Sequence, residues 1–305
     1  MKLFFYRRNE VQPNFGDELN PWLWNQLLPN ILDEKEATTF FGIGTLLNNQ
    51  VIERAPNAQQ IVVFGTGVGY GKGLPKIDES WTIYCVRGPL SAYKLGLSPE
   101  MAVTDADMLI RRVYQPSEAK VHKYSYMPHF TQSIHGGDSW ADVCQQAGVN
   151  YIDARWSIEK VLSELSKTEV LLTEAMHGAI IAEAFRIPWI CIHTAMERLL
   201  PFKWIDFCES IGVSYRPYDL MPLQDLSSQY RWSWKEPLNF RGSRSALVAE
   251  WNHTFNKART AEKMVDLIKR VPPNLGDDDH IERLTTELET RLQQFKKDVA
   301  AGQFA

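Results

Sequence analysis

A chain of 305 residues is longer than one hydrophobic core usually serves, and its 44% hydrophobic and 23% charged residues exclude a disordered or collagenous class. The net charge of -4 at pH 7 argues against a nucleic-acid binder, which needs a basic face to displace phosphate counterions. The longest apolar stretch, residues 179–192, is broken by Glu183, Arg186 and Pro188, so no membrane span or export signal is expected and the chain reads as cytoplasmic.

Taken in order, short apolar runs rich in β-branched and aromatic residues predict strands at 3–6, 39–43, 60–64, 82–86, 121–127, 149–152, 169–173 and 189–193. Helical patterns lie between them at 19–28, 89–95, 157–165 and 178–185. That alternation predicts parallel sheets with covering helices. Pro116-Ser117-Glu118 interrupts it, which divides the chain into an N-terminal α/β domain, 1–115, and a C-terminal one, 116–271, with further helical patterns at 204–212 and 245–271. The expected architecture is two Rossmann-like domains in a GT-B-like clamshell, with ligands beyond the carboxyl ends of the strands. Residues 272–305 read as a linker followed by an amphipathic helix of about five turns, with Ile281, Leu284, Leu288, Leu292, Phe295 and Val299 spaced three and four apart. Its stripe can dock on its own domain or join a partner, including a second copy. The four cysteines, Cys85, Cys144, Cys191 and Cys208, form no CxxC and no zinc-ligand cluster, and read as reduced packing residues with no metal site.

Several strand ends carry residues suited to chemistry. Asn14-Phe15-Gly16-Asp17 follows the first strand and can either cap the next helix or hold an anion or a sugar hydroxyl. Gly65-Thr66-Gly67-Val68-Gly69 ends the third, as a flexible turn or a phosphate cradle; neither a dinucleotide fingerprint nor a P-loop is completed. Arg87 ends the fourth, just before Pro89 at a helix start, where a guanidinium can clamp a carboxylate or phosphate or brace the turn. Asp105 and Asp107 end the next segment, one of them as a cap. In the second half a buried strand delivers Thr173, Glu174 and His177 to the start of a helix opened by Gly178. The helix dipole at that position is expected to keep His177 neutral and able to act as a base.

These segments together resemble the polysaccharide pyruvyl transferase family, in its branch of succinoglycan-type exopolysaccharide pyruvyltransferases. The matching stretches, in order, are NFGDELN, FGIGTLL, VFGTGVGYG, VRGPLS, VTDADML, MPHF and TEAMHGAIIAEAFRIPWI, over about 190 residues. The resemblance implies a cytoplasmic enzyme of glycosyltransferase-like fold, without a metal or other cofactor. It implies phosphoenolpyruvate as donor and a ketal product on a sugar of a growing, lipid-linked glycan, with the N-terminal half on the acceptor side. Many relatives carry Ser-x-Arg-Leu-His at the second site; here Thr173-Glu174-Ala175-Met176-His177 keeps the histidine and puts Ala175 at the arginine position. Another cation must then meet the donor's anions. Arg87 is the first choice, followed by Arg155 and Lys203, with backbone N–H groups at Gly178 or the Gly65 loop as further donors. Glu174 and His177 are expected to share the acid and base roles, and His129 in MPHF is expected beside the cleft. Trp232 and Trp234, among cations and aromatics at 230–235, suggest sugar stacking or peripheral contact with the inner face of the cytoplasmic membrane. A nucleotide-sugar glycosyltransferase and a noncatalytic assembly factor are the competing readings.

Overall fold

All eight expected strands form, displaced by at most two residues at either end. The computed structural model describes residues 1–6, 13–70, 73–194, 201–223 and 246–304. One sheet contains β1 (Lys2–Phe4), β2 (Thr38–Phe41), β3 (Gln60–Phe64) and β4 (Trp81–Cys85), all parallel and in chain order. The second contains β5 (His122–Met127), β6 (Asn150–Tyr151), β7 (Thr168–Thr173), β8 (Trp189–His193) and β9 (Tyr218–Asp219), again parallel, in the order β6-β5-β7-β8-β9. Every residue of β2 and β8 is buried, as helices on both faces of a parallel sheet require.

The helices are α1 (Phe15–Leu27), α2 (Val51–Arg54), α3 (Pro89–Leu95), α4 (Phe130–Gly136), α5 (Asp138–Ala147), α6 (Ile158–Ser166), α7 (Met176–Ala184), α8 (Phe202–Ser210), α9 (Ala246–Arg270) and α10 (Asp278–Ala300). Pro89 opens α3, and Gly96 closes it in the left-handed conformation, φ 66°. Between the sheets a 3-10 segment, Ala106–Arg112, buries Met108, Leu109 and Ile110. Its neighbour α7 is apolar on nearly every side, with residues 178–184 all buried, so it lies within the core rather than on a surface. A single apolar cluster therefore runs from Trp24, Phe40 and Phe64 through Leu109 and Ile180 to Leu171 and Trp189.

The C-terminal helix docks on its own chain. Ile281, Leu288, Leu292 and Phe295 are buried, and the Phe295 ring lies 5.3 Å from both Phe40 and Tyr84 in the first sheet. Most of the apolar stripe is thus buried inside the chain. Its approach is fixed by the paired backbones of Trp189 and Asn274 (2.9 and 2.7 Å) and by Arg186, which donates to Gly276 O and Glu183 Oε1, each at 2.5 Å. Asp277 then caps α10 by accepting from His280 N at 2.9 Å.

All four cysteines are buried free thiols, and burial pushes Cys85 and Cys208 up to about 12. Trp24, Trp140, Trp189 and Trp204 are fully buried packing residues, whereas Trp232 and Trp234 lie outside the described residues. Among the described residues no helix is long and apolar enough to cross a membrane. Because the fully buried Phe295 packs α10 against Phe40 and Tyr84, Phe295→Ala should cost about 3–5 kcal/mol in chemical denaturation. A loss below about 1 kcal/mol would mean that α10 does not dock in this way.

Candidate active site

In the second sheet the chain passes from β5 to β6 on one side and then to β7 on the other, so the crevice beyond the carboxyl ends of β5 and β7 is the natural ligand position. A cavity of about 310 Å³ lies there. Met127, His129 and Phe130 after β5, and Ala175, Met176 and His177 after β7, form one part of its wall. Asn14, Gly16 and Asp17 at the start of α1, residues 43–46 after β2, Arg54, Tyr70 and Lys203 also line it.

His177 is the second residue of α7, and Nδ1 lies 2.5 Å from Asp107 Oδ2. Asp107 comes from the 3-10 segment and has no solvent exposure, while the His177 side chain is 20% exposed. With Nδ1 engaged, Nε2 is the ring nitrogen left for a ligand. The first turn of α1 presses on the same ring: a Cβ at Gly16 would sit 2.2 Å from His177 Cδ2, so Gly16 is needed for close approach rather than for a turn.

Burial alone would lower the His177 pKa, but the Asp107 charge and hydrogen bond, with contributions from Asp105 and Asp17, carry it above the ordinary histidine value. This reverses the expectation from the helix dipole, because a carboxylate in contact outweighs partial charges on backbone N–H groups. Asp105 caps the 3-10 segment by accepting from Asp107 N at 3.2 Å. Burial, then the Asp107 charge, push Asp105 up to about 7. Burial raises the Asp107 pKa as well, with the His177 charge and hydrogen bond opposing the shift, so of the two adjacent buried carboxyls the one in contact with the imidazole keeps its charge more readily.

Glu174 occupies a different position from the one expected of a proton donor. It is fully buried and lies behind the cavity wall. Oε2 accepts from His129 N at 3.1 Å, and Oε1 accepts from Thr194 N at 2.6 Å and from the Thr194 hydroxyl. The carboxylate therefore ties the ends of β5 and β8 to that of β7, satisfying backbone donors that the strand ends leave over. The Thr173 hydroxyl accepts from Ala175 N at 3.1 Å and braces the same turn from below. A Cβ at Gly178 would lie 2.7 Å from Thr173 Oγ1 and 2.9 Å from Met127 Sδ, so this glycine admits α7 against the sheet. These three residues shape the site without lining it.

The two expected arginine clamps are also committed elsewhere. Arg87 is fully buried: Nε donates to Asp206 Oδ2 at 3.0 Å, Nη1 to Thr45 Oγ1 at 2.8 Å and Nη2 to Val68 O at 3.0 Å. Asp206 also accepts from Ser91 N at 2.9 Å and Ser91 Oγ at 2.5 Å, which completes a buried network joining α3 to α8. Arg155 pairs with Asp153, Nη2 to Oδ2 at 2.6 Å, off the cavity wall. The glycine loop serves packing rather than phosphate: a Cβ at Gly65, where φ is +75°, would meet Ala106 Cβ at 2.5 Å, and one at Gly67 would meet Arg87 Cζ at 2.3 Å.

Other expected residues do reach the cavity. Asn14 Nδ2 donates to Asp17 Oδ2 at 2.7 Å, His129 caps α4 with Nδ1 2.8 Å from Thr131 Oγ1, and Lys203 Nζ donates to the Tyr70 hydroxyl at 2.7 Å. Arg54, Tyr70 and the role of Asp107 escaped the sequence reading; only the adjacency of Asp105 and Asp107 at a strand end hinted at the last. Among the described residues no group of three or more His, Cys, Asp or Glu side chains gathers as a metal centre. Arg87→Met should destabilise the protein by about 3–5 kcal/mol, because Asp206 keeps a buried charge without its partner. Unchanged denaturation midpoints would overturn this structural role for Arg87.

A family model described as polysaccharide pyruvyl transferase matches residues 41–194. The succinoglycan biosynthesis protein ExoV of Rhizobium meliloti (strain 1021) is 39% identical over 207 residues, 67% of this chain and 63% of that protein. The chain thus spans less than two thirds of the length of that relative. The family match runs from the end of β2 to the residue after β8, and so holds the Asp107 segment, the loops after β5 and β7, and the whole of α7. Since that span is half of the chain and contains both His177 and its carboxylate partner, the protein belongs to the polysaccharide pyruvyl transferase family.

Proposed function

We propose that this protein transfers the enolpyruvyl carbons of phosphoenolpyruvate to two hydroxyls of a sugar in an exopolysaccharide repeat unit, forming a pyruvate ketal and releasing phosphate. The observation that carries this reading is His177, held by Asp107 against a cavity of about 310 Å³ and biased toward its protonated form. The two α/β halves act as a GT-B-like clamshell around that cavity.

The donor's C3 methylene must gain a proton before C2 becomes electrophilic. His177 donates it from Nε2 as general acid, while the Asp107 charge stabilises the imidazolium and fixes which nitrogen faces the substrate. C2 then carries oxocarbenium character, and a sugar hydroxyl adds to it. Asp17, the carboxylate in the cavity wall among the described residues, receives the hydroxyl proton. The C2–O bond to phosphate breaks, and the second hydroxyl closes the ketal. Of the two hydroxyl protons, one leaves with phosphate and the other restores His177, so the atoms balance with no further reactant. Glu174 and Thr173 act only through the loop that carries His177.

Incubation of the purified protein with phosphoenolpyruvate and a repeat-unit oligosaccharide, lipid-linked in one arm and lipid-free in the other, should release phosphate and give the mass of a ketal. Absence of both products in both arms would refute the assignment. His177→Ala should lower kcat about 10²-fold or more, and near-normal turnover would remove it as the acid.

The pH profile supplies a sharper reading. A pKa raised above the ordinary histidine value leaves the imidazolium fully formed at low pH and loses it as pH rises through the folded-state value. Activity should therefore have a descending limb above the usual histidine pKa. Asp107→Asn, which removes the charge that holds the pKa up, should move that limb to lower pH. A limb unmoved by Asp107→Asn would show that another group supplies the proton.

A further inference from the structure

We infer that Arg54 and Lys203 form the donor's anion clamp, so that its carboxylate and phosphate are gripped by a part of the cavity separate from the loop that carries His177. This rests on the pyruvyl-transfer reading and specifies the binding side of it. Of the arginines and lysines in the described residues, Arg54 and Lys203 are the two in the cavity wall. Arg87 and Arg155 are each bound to a carboxylate away from it.

Arg54 ends α2, and its hydrogen bonds go to neutral acceptors, Leu46 O at 3.3 Å and Gln50 Oε1 at 3.0 Å. Its guanidinium also lies 5.9 Å from the centre of the Phe4 ring. Among the described residues no carboxylate comes within ion-pair distance of it, so a full positive charge with spare N–H donors borders the cavity. Lys203 is only 7% exposed, and Nζ lies 5.3 Å from the centre of the Tyr70 ring, whose hydroxyl it meets. Tyr70 adopts φ 48°, a left-handed conformation that a non-glycine residue rarely takes up. Strain of that kind persists where surroundings over-determine a side chain, and ligand clamps are a common setting. Two cations from α2 and α8, one steadied by a strained tyrosine, match a small molecule with two anionic groups. Ala175, beside His177 on the same wall, contributes no charge.

Titration calorimetry with phosphoenolpyruvate, paired with turnover at saturating acceptor, tests the clamp on Arg54→Gln and Lys203→Met. Each should weaken donor binding and raise KM by about 10- to 100-fold, the worth of hydrogen bonds to charged groups, with a smaller change in kcat. Arg155→Lys should leave both unchanged. Thermal unfolding of each variant checks the fold; if Lys203→Met unfolds, the half-buried Arg54→Gln carries the test. Wild type that binds the donor while Arg54→Gln and Lys203→Met bind it within twofold would overturn the clamp and leave pyruvyl transfer standing. Wild type that neither binds phosphoenolpyruvate nor releases phosphate would instead overturn the transfer reading, and the clamp with it.

Discussion

A carboxylate without water, Asp107, makes His177 what it is, and the packing that excludes the water is the constraint on which the site depends. Asp107 belongs to a segment that follows the first sheet, whereas His177 follows β7 in the second. The two meet because Met108, Leu109 and Ile110 bury themselves against α7, and because Gly65 lets Ala106 come within a distance that any side chain would forbid. Apolar burial thus places a charge, at a desolvation cost that is offset only while the imidazole stays in reach. A change that loosens this contact would alter the histidine's protonation before it altered the fold.

A second buried tie acts on the other part of the cavity. Arg87 and Asp206 form a fully enclosed ion pair, and such pairs add little stability over apolar residues of equal volume. Their value here is geometric. Asp206 lies on α8 three residues after Lys203, so the network that joins Arg87, Ser91 and Asp206 also fixes where the Lys203 ammonium stands. The arginine expected to touch the donor therefore works one step back, holding the helix that carries a cavity lysine.

Strand positions were legible in the sequence because parallel strands are buried on both faces and read as uninterrupted apolar runs. The α4–α5 pair was not, since Gly136-Gly137 divides a largely polar stretch and neither helix alone shows a long apolar period. The prominence of His177 was visible from its place at a strand-to-helix junction. What a given charged residue does there was not. Arg87, Arg155 and Glu174 look like ligand-facing groups in a linear reading, yet each is neutralised by a partner or donor near or far in sequence: Asp206, Asp153 and the backbone of His129. Burial decides between clamp and brace, and burial of a polar side chain depends on contacts that no local pattern encodes. Arg54 escaped for the converse reason, because a four-residue helix gives no periodic signal and the lack of a carboxylate partner among the described residues is a property of the surroundings.

The alanine at position 175 becomes intelligible once the charges are placed. An arginine two residues before His177 would add a like charge beside the imidazole, and a like charge disfavours the protonated ring. With Ala175 neutral, Asp107 raises His177 without that opposition, and the cations that line the cavity stand on α2 and α8 instead. In the proposed transfer, proton donation and anion binding make opposite electrostatic demands on a histidine, and separating the cations from His177 in space would let one cavity meet both.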